Sequence, residues 1–150
     1  MGIKPTILVA EDDPGDAFLL ERVFGQAAAP LSLHFVRDGQ EAINYLAGEG
    51  RYADRRKYPV PVLLVLDLKL PRLNGLEVIA WVRSQAALKL LPIAVVTGSD
   101  EPADMNRARE LGANCCLEKP LTVETLPDFI TSHSYWTGID RASGGGQAGS

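Results

Sequence analysis

The sequence predicts an α/β domain built on one parallel β-sheet, and three features of the chain carry that prediction. Short apolar segments alternate with stretches in which apolar residues have helical spacing. One apolar run, residues 62–66, is unbroken, as is typical of a central strand that is covered on both faces. Acidic residues directly follow two of the apolar segments, where the ligand-binding edge of such a sheet would lie.

The first half of the chain supplies two strand–helix units. Residues 7–10 are a short apolar strand, after which Asp13 can cap the following helix. Residues 31–36 have the two-residue period of a half-covered strand. Residues 38–41, Asp-Gly-Gln-Glu, resemble a capping box for a second helix, which is expected to stop at Gly48.

A charged loop at residues 49–59 interrupts this alternation. It has no periodicity, and it is longer than the roughly two to six residues that usually connect elements in α/β units. Its basic side chains are expected to be solvated, and they are Arg51, Arg55, Arg56 and Lys57.

The second half of the chain supplies three further units. The central strand ends at Asp67, and Asn74 with Glu77 three residues later forms a second candidate capping box. Cys115 and Cys116 are adjacent on the last predicted strand, so their side chains should point to opposite faces, and we expect no disulfide between them. The remaining elements are a strand at 93–97, a helix ended by Gly112, a strand at 115–118 and a helix from about 122 to about 136.

Five such units in strict alternation imply right-handed crossovers, with helices on both faces of the sheet. We therefore expect a flavodoxin-like (βα)5 doubly wound sheet with strand order 2-1-3-4-5, in which strands 1 and 3 are neighbours. The carboxyl ends of strands 1, 3, 4 and 5 then meet at one edge. The residues brought to that edge are Glu11, Asp12, Asp67, Thr97 and Lys119.

These residue types suit phosphoryl transfer. Three carboxylates at one edge repel one another unless a cation neutralises them, and Mg²⁺ prefers oxygen ligands. The Lys119 ammonium and the Thr97 hydroxyl, together with the cation, match the oxygens of a phosphoryl group in transfer. Asp67 is then the candidate nucleophile, which would form a covalent aspartyl phosphate.

The order of these residues resembles the receiver domain of bacterial two-component response regulators, over about residues 6–134. The matching positions are the acidic pair after strand 1, Asp67 with Leu70, Pro71 and Gly75 downstream, Thr97 with Gly98, and Lys119 with Pro120. The resemblance implies a phosphoacceptor signalling protein and not an enzyme, with turnover limited to self-catalysed phosphotransfer and autodephosphorylation. A sensor histidine kinase would donate the phosphoryl group to Asp67.

The same resemblance implies two ligand sets at the edge of the sheet. Mg²⁺ or Mn²⁺ would bind the side chains of Glu11, Asp12 and Asp67 and the backbone carbonyl of Lys69. The phosphoryl group would be bound by Thr97, Gly98 and Lys119.

A narrower resemblance is to the single-domain regulators of cyanobacterial and bacterial phytochromes. It rests on the long loop before strand 3, on residues 113–115 and on Tyr135 with Trp136, and it implies a bacteriophytochrome as the kinase. Two positions depart from the common receiver pattern. A lysine, Lys69, lies two residues after Asp67. Cys116 occupies the position where many receivers carry an aromatic switch residue.

Composition argues against several other classes. The 150 residues carry a net charge of −4, so the chain lacks the excess of basic residues that is typical of nucleic-acid-binding proteins. No apolar run is long enough to span a membrane, and the N-terminus lacks the apolar core of a signal peptide, so a cytoplasmic protein is expected. Residues 1–137 are predicted to be the receiver domain, and residues 138–150 a disordered tail.

The C-terminal region is the predicted site of self-association. Tyr135 and Trp136 lie near the end of the last predicted helix, and clustered aromatic residues near a terminus indicate an interface. We therefore expect a homodimer, and the alternative is that Trp136 folds back onto the core of its own domain. Because nothing after residue 137 is long enough to form an output domain, output is expected through protein–protein contact or phosphate relay.

Two other functions use a similar strand end. A Mg²⁺-dependent phosphohydrolase of the haloacid dehalogenase type also has a strand-end aspartate, but it needs a second carboxylate two residues later, where this chain has Lys69. An FMN-binding flavodoxin needs phosphate-binding donors after strand 1, where Glu11 and Asp12 would repel a phosphate.

Overall fold

A computed structural model describes residues 5–25, 31–98 and 102–119 of the chain. The elements in chain order are β1 (Thr6–Ala10), α1 (Pro14–Gly25), β2 (Ser32–Val36), α2 (Gly39–Ala47), a 3₁₀ helix (Gly50–Ala53), β3 (Leu63–Leu66), α3 (Gly75–Ser84), β4 (Ile93–Thr97), α4 (Pro102–Leu111) and β5 (Cys115–Glu118). The predicted last helix with Tyr135 and Trp136, Pro120 and the tail from residue 138 lie outside the described residues.

The five strands form one parallel sheet in the order β2-β1-β3-β4-β5, which confirms the predicted topology. In the register of β1 and β3, Ala10 pairs with Leu66, so the next residue of each strand reaches the same edge. The backbone hydrogen bonds continue past the strand ends, because the Asp67 N–H donates to the Ala10 carbonyl at 3.1 Å and the Glu11 N–H donates to the Val36 carbonyl at 3.0 Å. The sheet thus places Glu11 and Asp67 side by side.

Apolar side chains cover both faces of the sheet. Leu64 and Leu66 of β3 lie in a cluster with α2 and α3, whereas Leu63 and Val65 lie in a second cluster with α1. This double coverage explains why the sequence of β3 is apolar without interruption. The two cysteines divide in the same way, since Cys115 contacts the cluster on the α1 side and Cys116 contacts the other. No disulfide joins them, as the sequence predicted.

The helix caps follow the sequence signals, with one difference. Asn74 and Glu77 form the complete reciprocal capping box at the start of α3. At the start of α2, Asp38 accepts a hydrogen bond from the Glu41 N–H, but the Glu41 carboxylate accepts from the N–H of Arg37 and not from that of Asp38. The predicted box at residues 38–41 is therefore wrong in its second half.

The segment at residues 49–59 is more structured than the sequence indicated. It contains the 3₁₀ helix, and the rings of Tyr52 and Tyr58 contact each other and Tyr45 of α2. The guanidinium of Arg55 donates to the carbonyl oxygens of Tyr45 at 2.8 Å and Leu46 at 2.9 Å, which satisfies the C-terminal end of α2.

One basic side chain of this segment, Arg55, differs from the expectation that all four are solvated, whereas Arg51 is exposed although it forms an ion pair. Arg55 binds the end of α2, and Arg51 donates to the Glu41 carboxylate at 2.9 Å. Arg56 and Lys57 are exposed, as predicted. Within the described part of the chain, no helix is long and apolar enough to cross a membrane.

Candidate functional site

Three carboxylates meet at the carboxyl edge of the sheet. Glu11 and Asp67 are buried, with 3% and 6% of their surface exposed, whereas Asp12 is exposed. One carboxylate oxygen of each residue lies within 4.8 Å of the others. Oxygen ligands at this spacing fit a hard divalent cation, which would also remove the repulsion between the buried carboxylates. The structure thus brings together the three acidic side chains that the sequence selected.

Lys119 directly follows β5 and lies at the same edge of the sheet. Its backbone N–H donates to the Thr97 carbonyl at 3.0 Å, which ties the end of β5 to the end of β4. Its Nζ lies 2.8 Å from a carboxylate oxygen of Glu11, 2.9 Å from Asp67 Oδ2 and 2.8 Å from Asp16 Oδ2. One ammonium therefore contacts carboxylates from β1, β3 and α1.

The protonation of these groups depends on their burial and on their contacts. Burial raises the pKa of Glu11 to about 7, although the hydrogen bond from Lys119 acts in the opposite direction. For Lys119, burial lowers the pKa, but hydrogen bonds to Asp16, Glu11 and Asp67 outweigh it and raise the pKa above its usual value. Lys119 is consequently a permanent positive charge at the site.

The loop between β3 and α3 holds the Asp67 side chain in place. The Lys69 N–H donates to Asp67 Oδ1 at 3.0 Å, and the Gly75 N–H donates to the Leu68 carbonyl at 3.0 Å. A Cβ at position 75 would lie 2.6 Å from the Asp67 carbonyl oxygen and 2.7 Å from Leu68 Cα. Only glycine allows the start of α3 to approach the backbone of Asp67 this closely.

The end of β4 lies at the same edge of the sheet, next to the end of β5. Thr97 is fully buried, and Gly98 is exposed. A Cβ on Gly98 would meet only the Cδ of Lys119, at 4.0 Å, so a small residue keeps this approach open. Cys116 lies at a different place, because its sulfur faces the Met105 carbonyl of α4 at 3.9 Å and it is half-buried against the core.

A cleft of about 550 Å³ opens beside the carboxylates. It lies between the β3–α3 loop and α4, and it gives Asp12 contact with solvent. The lining residues are Asp12, Leu68, Lys69, Leu70, Pro71, Asn74, Leu76 and Asp104. The exposed side of the carboxylate cluster therefore faces an open cleft.

The sequence reasoning missed Asp16 as a member of the site. Asp16 was assigned only to the first turn of α1, where an acidic residue suits the helix dipole. Its contact with Lys119 joins residues 103 positions apart in the chain. A signal was present, because an N-cap at Asp13 places residue 16 in the first turn above the end of β1.

Residues 7–131 match the model of the response regulator receiver domain. The chain belongs to the response regulator receiver family. Receivers are phosphoacceptors in two-component signalling, and the match gives no support to the phosphohydrolase alternative. An FMN phosphate is disfavoured as well, because buried Glu11 and exposed Asp12 would meet it directly after β1.

Several receivers of known sequence or structure resemble this one over most of their length. The probable methanogenesis regulatory protein FilR2 of Methanothrix harundinacea is 32% identical, over 92% of this chain and 87% of its own. The response regulator Rcp1 of Synechocystis is 33% identical, over 87% of both chains. The phosphorylated cyanobacterial phytochrome response regulator RcpA is 30% identical and has a TM-score of 0.77, over 91% of this chain and 96% of its own. The receiver is thus similar to single-domain phytochrome response regulators.

Proposed function

We propose that this receiver accepts a phosphoryl group on Asp67 from a sensor histidine kinase of the bacteriophytochrome type. The observation that carries the proposal is the position of Asp67, a buried carboxylate at the end of β3 that lies next to Glu11 and contacts Lys119. The similarity to RcpA supports the choice of a phytochrome kinase. Output is by protein–protein contact, and the chain acts in the cytoplasm, where such kinases place their phosphorylated histidine.

In this proposal, each neighbour of Asp67 has a role in the transfer. A carboxylate oxygen of Asp67 attacks phosphorus, the P–O bond forms as the P–N bond of phosphohistidine breaks, and the imidazole leaves with the electron pair. The Lys69 N–H holds Asp67 Oδ1, so the carboxylate keeps one orientation. The Lys119 ammonium neutralises charge on the phosphoryl oxygens, and the side chain of Thr97 and the open position at Gly98 receive the group.

A divalent cation, Mg²⁺ or Mn²⁺, completes the proposed site. Glu11, Asp12, Asp67 and the backbone carbonyl of Lys69 would hold it, and when bound it supplies positive charge to the transferring group. The relative Rcp1 has been solved in a Mn²⁺-bound form, at a TM-score of 0.73 to this chain. With the cation bound, the receiver catalyses its own phosphorylation and dephosphorylation and no other reaction.

Cation binding should tighten as the pH rises. The raised pKa of Glu11, about 7, means that this carboxyl is mostly protonated at pH 6 and mostly ionised at pH 8. Because only the ionised form is a ligand, the Kd for Mg²⁺ should fall about tenfold over that interval. Titration calorimetry at several pH values measures this. Glu11→Gln should bind Mg²⁺ more weakly and with little pH dependence, and a wild-type Kd that does not change between pH 6 and pH 8 would show that the ionisation of Glu11 does not control cation binding in this range.

The kinase assignment is tested by phosphotransfer profiling. Autophosphorylated bacteriophytochrome should transfer its phosphoryl group to the receiver faster than the other histidine kinases of the same host do, at equal concentrations and short times. A parallel reaction with EDTA should show no transfer. Equal or faster transfer from kinases without a phytochrome sensor would reject the phytochrome pairing and leave the phosphoacceptor function standing.

Lys69 should influence how long the phosphoryl group stays on Asp67. Its side chain is exposed on the wall of the cleft, where its ammonium can reach the phosphoryl oxygens or the path of the attacking water. Lys69→Asn should change the rate of dephosphorylation several-fold, which corresponds to about 1 kcal/mol in the barrier. Lys89→Asn, at an exposed lysine that does not line the cleft, is the matched control. Equal decay rates in the two variants would show that Lys69 points away from the site.

The strand β5 offers no aromatic switch. Cys116 is too small to exchange between a buried and an exposed position with the same change of surface. We therefore propose that phosphorylation is reported by the loop from Gly98 to Pro102, of which residues 99–101 lie outside the described part of the chain, and by the start of α4. A phosphorylation-dependent change confined to β5 would contradict this.

The proposed homodimer rests on the sequence of the C-terminal region. Tyr135 and Trp136 are the proposed contacts, with the same segment on both partners. The wild-type protein should sediment as a dimer at tens of micromolar, and Trp136→Ala should weaken association by about 2 kcal/mol. A monomeric wild type would exclude the dimer. A dimer that Trp136→Ala leaves intact would move the interface to another surface.

A further inference from the structure

The contacts of Lys119 separate its three carboxylate partners into two kinds. Glu11 and Asp67 belong to the trio whose oxygens lie within 4.8 Å of one another and fit a divalent cation. Asp16 is outside that trio, yet its Oδ2 lies 2.8 Å from Nζ, as close as Glu11. An ammonium has three N–H donors, so the three carboxylates together use all of them. Asp16 is therefore the partner that a cation at the site does not require.

Asp16 is held in this position by the start of α1. Its backbone N–H donates to Asp13 Oδ2 at 2.9 Å, which fixes the first turn of the helix above the end of β1. The Asp16 side chain is 37% exposed, whereas those of Glu11 and Asp67 are at most 7% exposed. The ammonium thus bridges the buried carboxylates and a carboxylate at the rim.

The electrostatics change when a divalent cation enters the site. The cation neutralises Glu11 and Asp67 and repels the nearby ammonium, so two of the three contacts of Lys119 weaken. The contact with Asp16 keeps its full attraction. Without it, Lys119 would remain on Glu11 and Asp67 and compete with the cation for them.

From this geometry we propose that Asp16 is a positioning residue, which holds the Lys119 ammonium at the edge of the site while a cation and a phosphoryl group occupy Glu11, Asp12 and Asp67. This inference rests on the proposed phosphoacceptor function. Asp16 does not touch the phosphoryl group. It acts through Lys119, by keeping a positive charge next to the position that the phosphoryl oxygens occupy.

The test compares Asp16→Asn with the matched control Asp13→Asn. Both remove one negative charge at the start of α1, and an asparagine at position 13 keeps the cap on the Asp16 N–H through its amide oxygen. Binding of Mg²⁺ and of the phosphoryl mimic fluoroberyllate is measured by calorimetry, with labelling by acetyl phosphate as a separate readout. Asp16→Asn should weaken both equilibria by about fivefold relative to Asp13→Asn, the range expected for a partly exposed ion pair.

Two further measurements separate positioning from a merely structural role. Asp16→Glu restores a carboxylate, and it should recover most of the fluoroberyllate affinity. The NMR signals of the Lys119 side chain in the Mg²⁺-bound protein should shift in Asp16→Asn and return toward wild type in Asp16→Glu. Thermal unfolding of all three variants confirms that each is folded.

The possible outcomes are distinct. If Asp16→Asn and Asp13→Asn bind Mg²⁺ and fluoroberyllate equally, the positioning role is overturned, while labelling of the wild type upholds the phosphoacceptor function. If the wild type neither labels nor binds fluoroberyllate, the proposed function fails, and the role of Asp16 fails with it. Recovery in Asp16→Glu together with loss in Asp16→Asn supports the inference.

Discussion

Asp67→Asn should abolish phosphoryl incorporation from acetyl phosphate and from a phosphorylated kinase. The amide is nearly the same size as the carboxylate and can still accept the Lys69 N–H, so the fold and the loop should survive. It cannot form the aspartyl phosphate, because the amide lacks the ionised oxygen that attacks phosphorus. We expect labelling to fall by at least about a hundredfold, because Asp67 is the proposed nucleophile and its replacement removes the attacking oxygen.

Asp13→Asn is the control for this prediction. Asp13 lies at the same edge, but its side chain only caps α1, so the variant should label at close to the wild-type rate. Gel separation of phosphorylated from unphosphorylated protein gives the rate, and mass spectrometry of the reduced acyl phosphate gives the position. Full-rate labelling of Asp67→Asn would end the phosphoacceptor assignment of this residue.

Gly39→Ala should lower the free energy of unfolding by about 3 kcal/mol, which lowers the Tm by roughly 10 °C in a domain of this size. A Cβ at position 39 would lie 1.9 Å from the Leu73 carbonyl oxygen and 2.7 Å from the Leu73 Cβ. Leu73 cannot move away easily, because the next residue, Asn74, forms the capping box of α3. The first turn of α2 and the β3–α3 loop would have to separate.

Gly25→Ala is the matched control for this substitution. Gly25 is the last residue of α1, and a Cβ there meets nothing within 4 Å. Neither glycine has a positive φ, so the comparison isolates close contact from backbone strain. Gly25→Ala should change stability by less than about 0.5 kcal/mol in urea denaturation. Equal stability of the two variants would show that the α2–loop contact relaxes without cost.

The sequence predicted the strand order and the carboxylate cluster because both depend on backbone periodicity. In a parallel sheet, the strand register decides which residues meet at the edge, and the apolar runs of β1 and β3 mark where each strand ends. Once Ala10 pairs with Leu66, Glu11 and Asp67 are neighbours without any further information. The same argument places Thr97 and Lys119 at the ends of β4 and β5.

Side-chain contacts between distant elements were harder to predict. The basic residues of the 49–59 segment looked alike in the sequence, yet Arg55 binds the C-terminal carbonyls of α2 while Arg56 is exposed. Glu41 likewise fitted a capping box, but Arg51 and Tyr52 donate to its carboxylate. Which partner such a long polar side chain takes depends on the path of a loop, and that path has no periodic signal in the sequence.

The sequence by itself determined that this protein is a receiver with Glu11, Asp12, Asp67, Thr97 and Lys119 at one edge, because residue type and strand ends are local properties of the chain. Only the tertiary structure decided how the charge of Lys119 is shared. Its contact with Asp16 spans 103 positions and depends on the angle at which α1 leaves β1. The requirement for glycine at position 39 also comes from tertiary packing, because the loop that would clash with a Cβ there lies more than thirty residues away in the chain. Contacts of this kind follow from the packing of whole elements and have no signature in either segment alone.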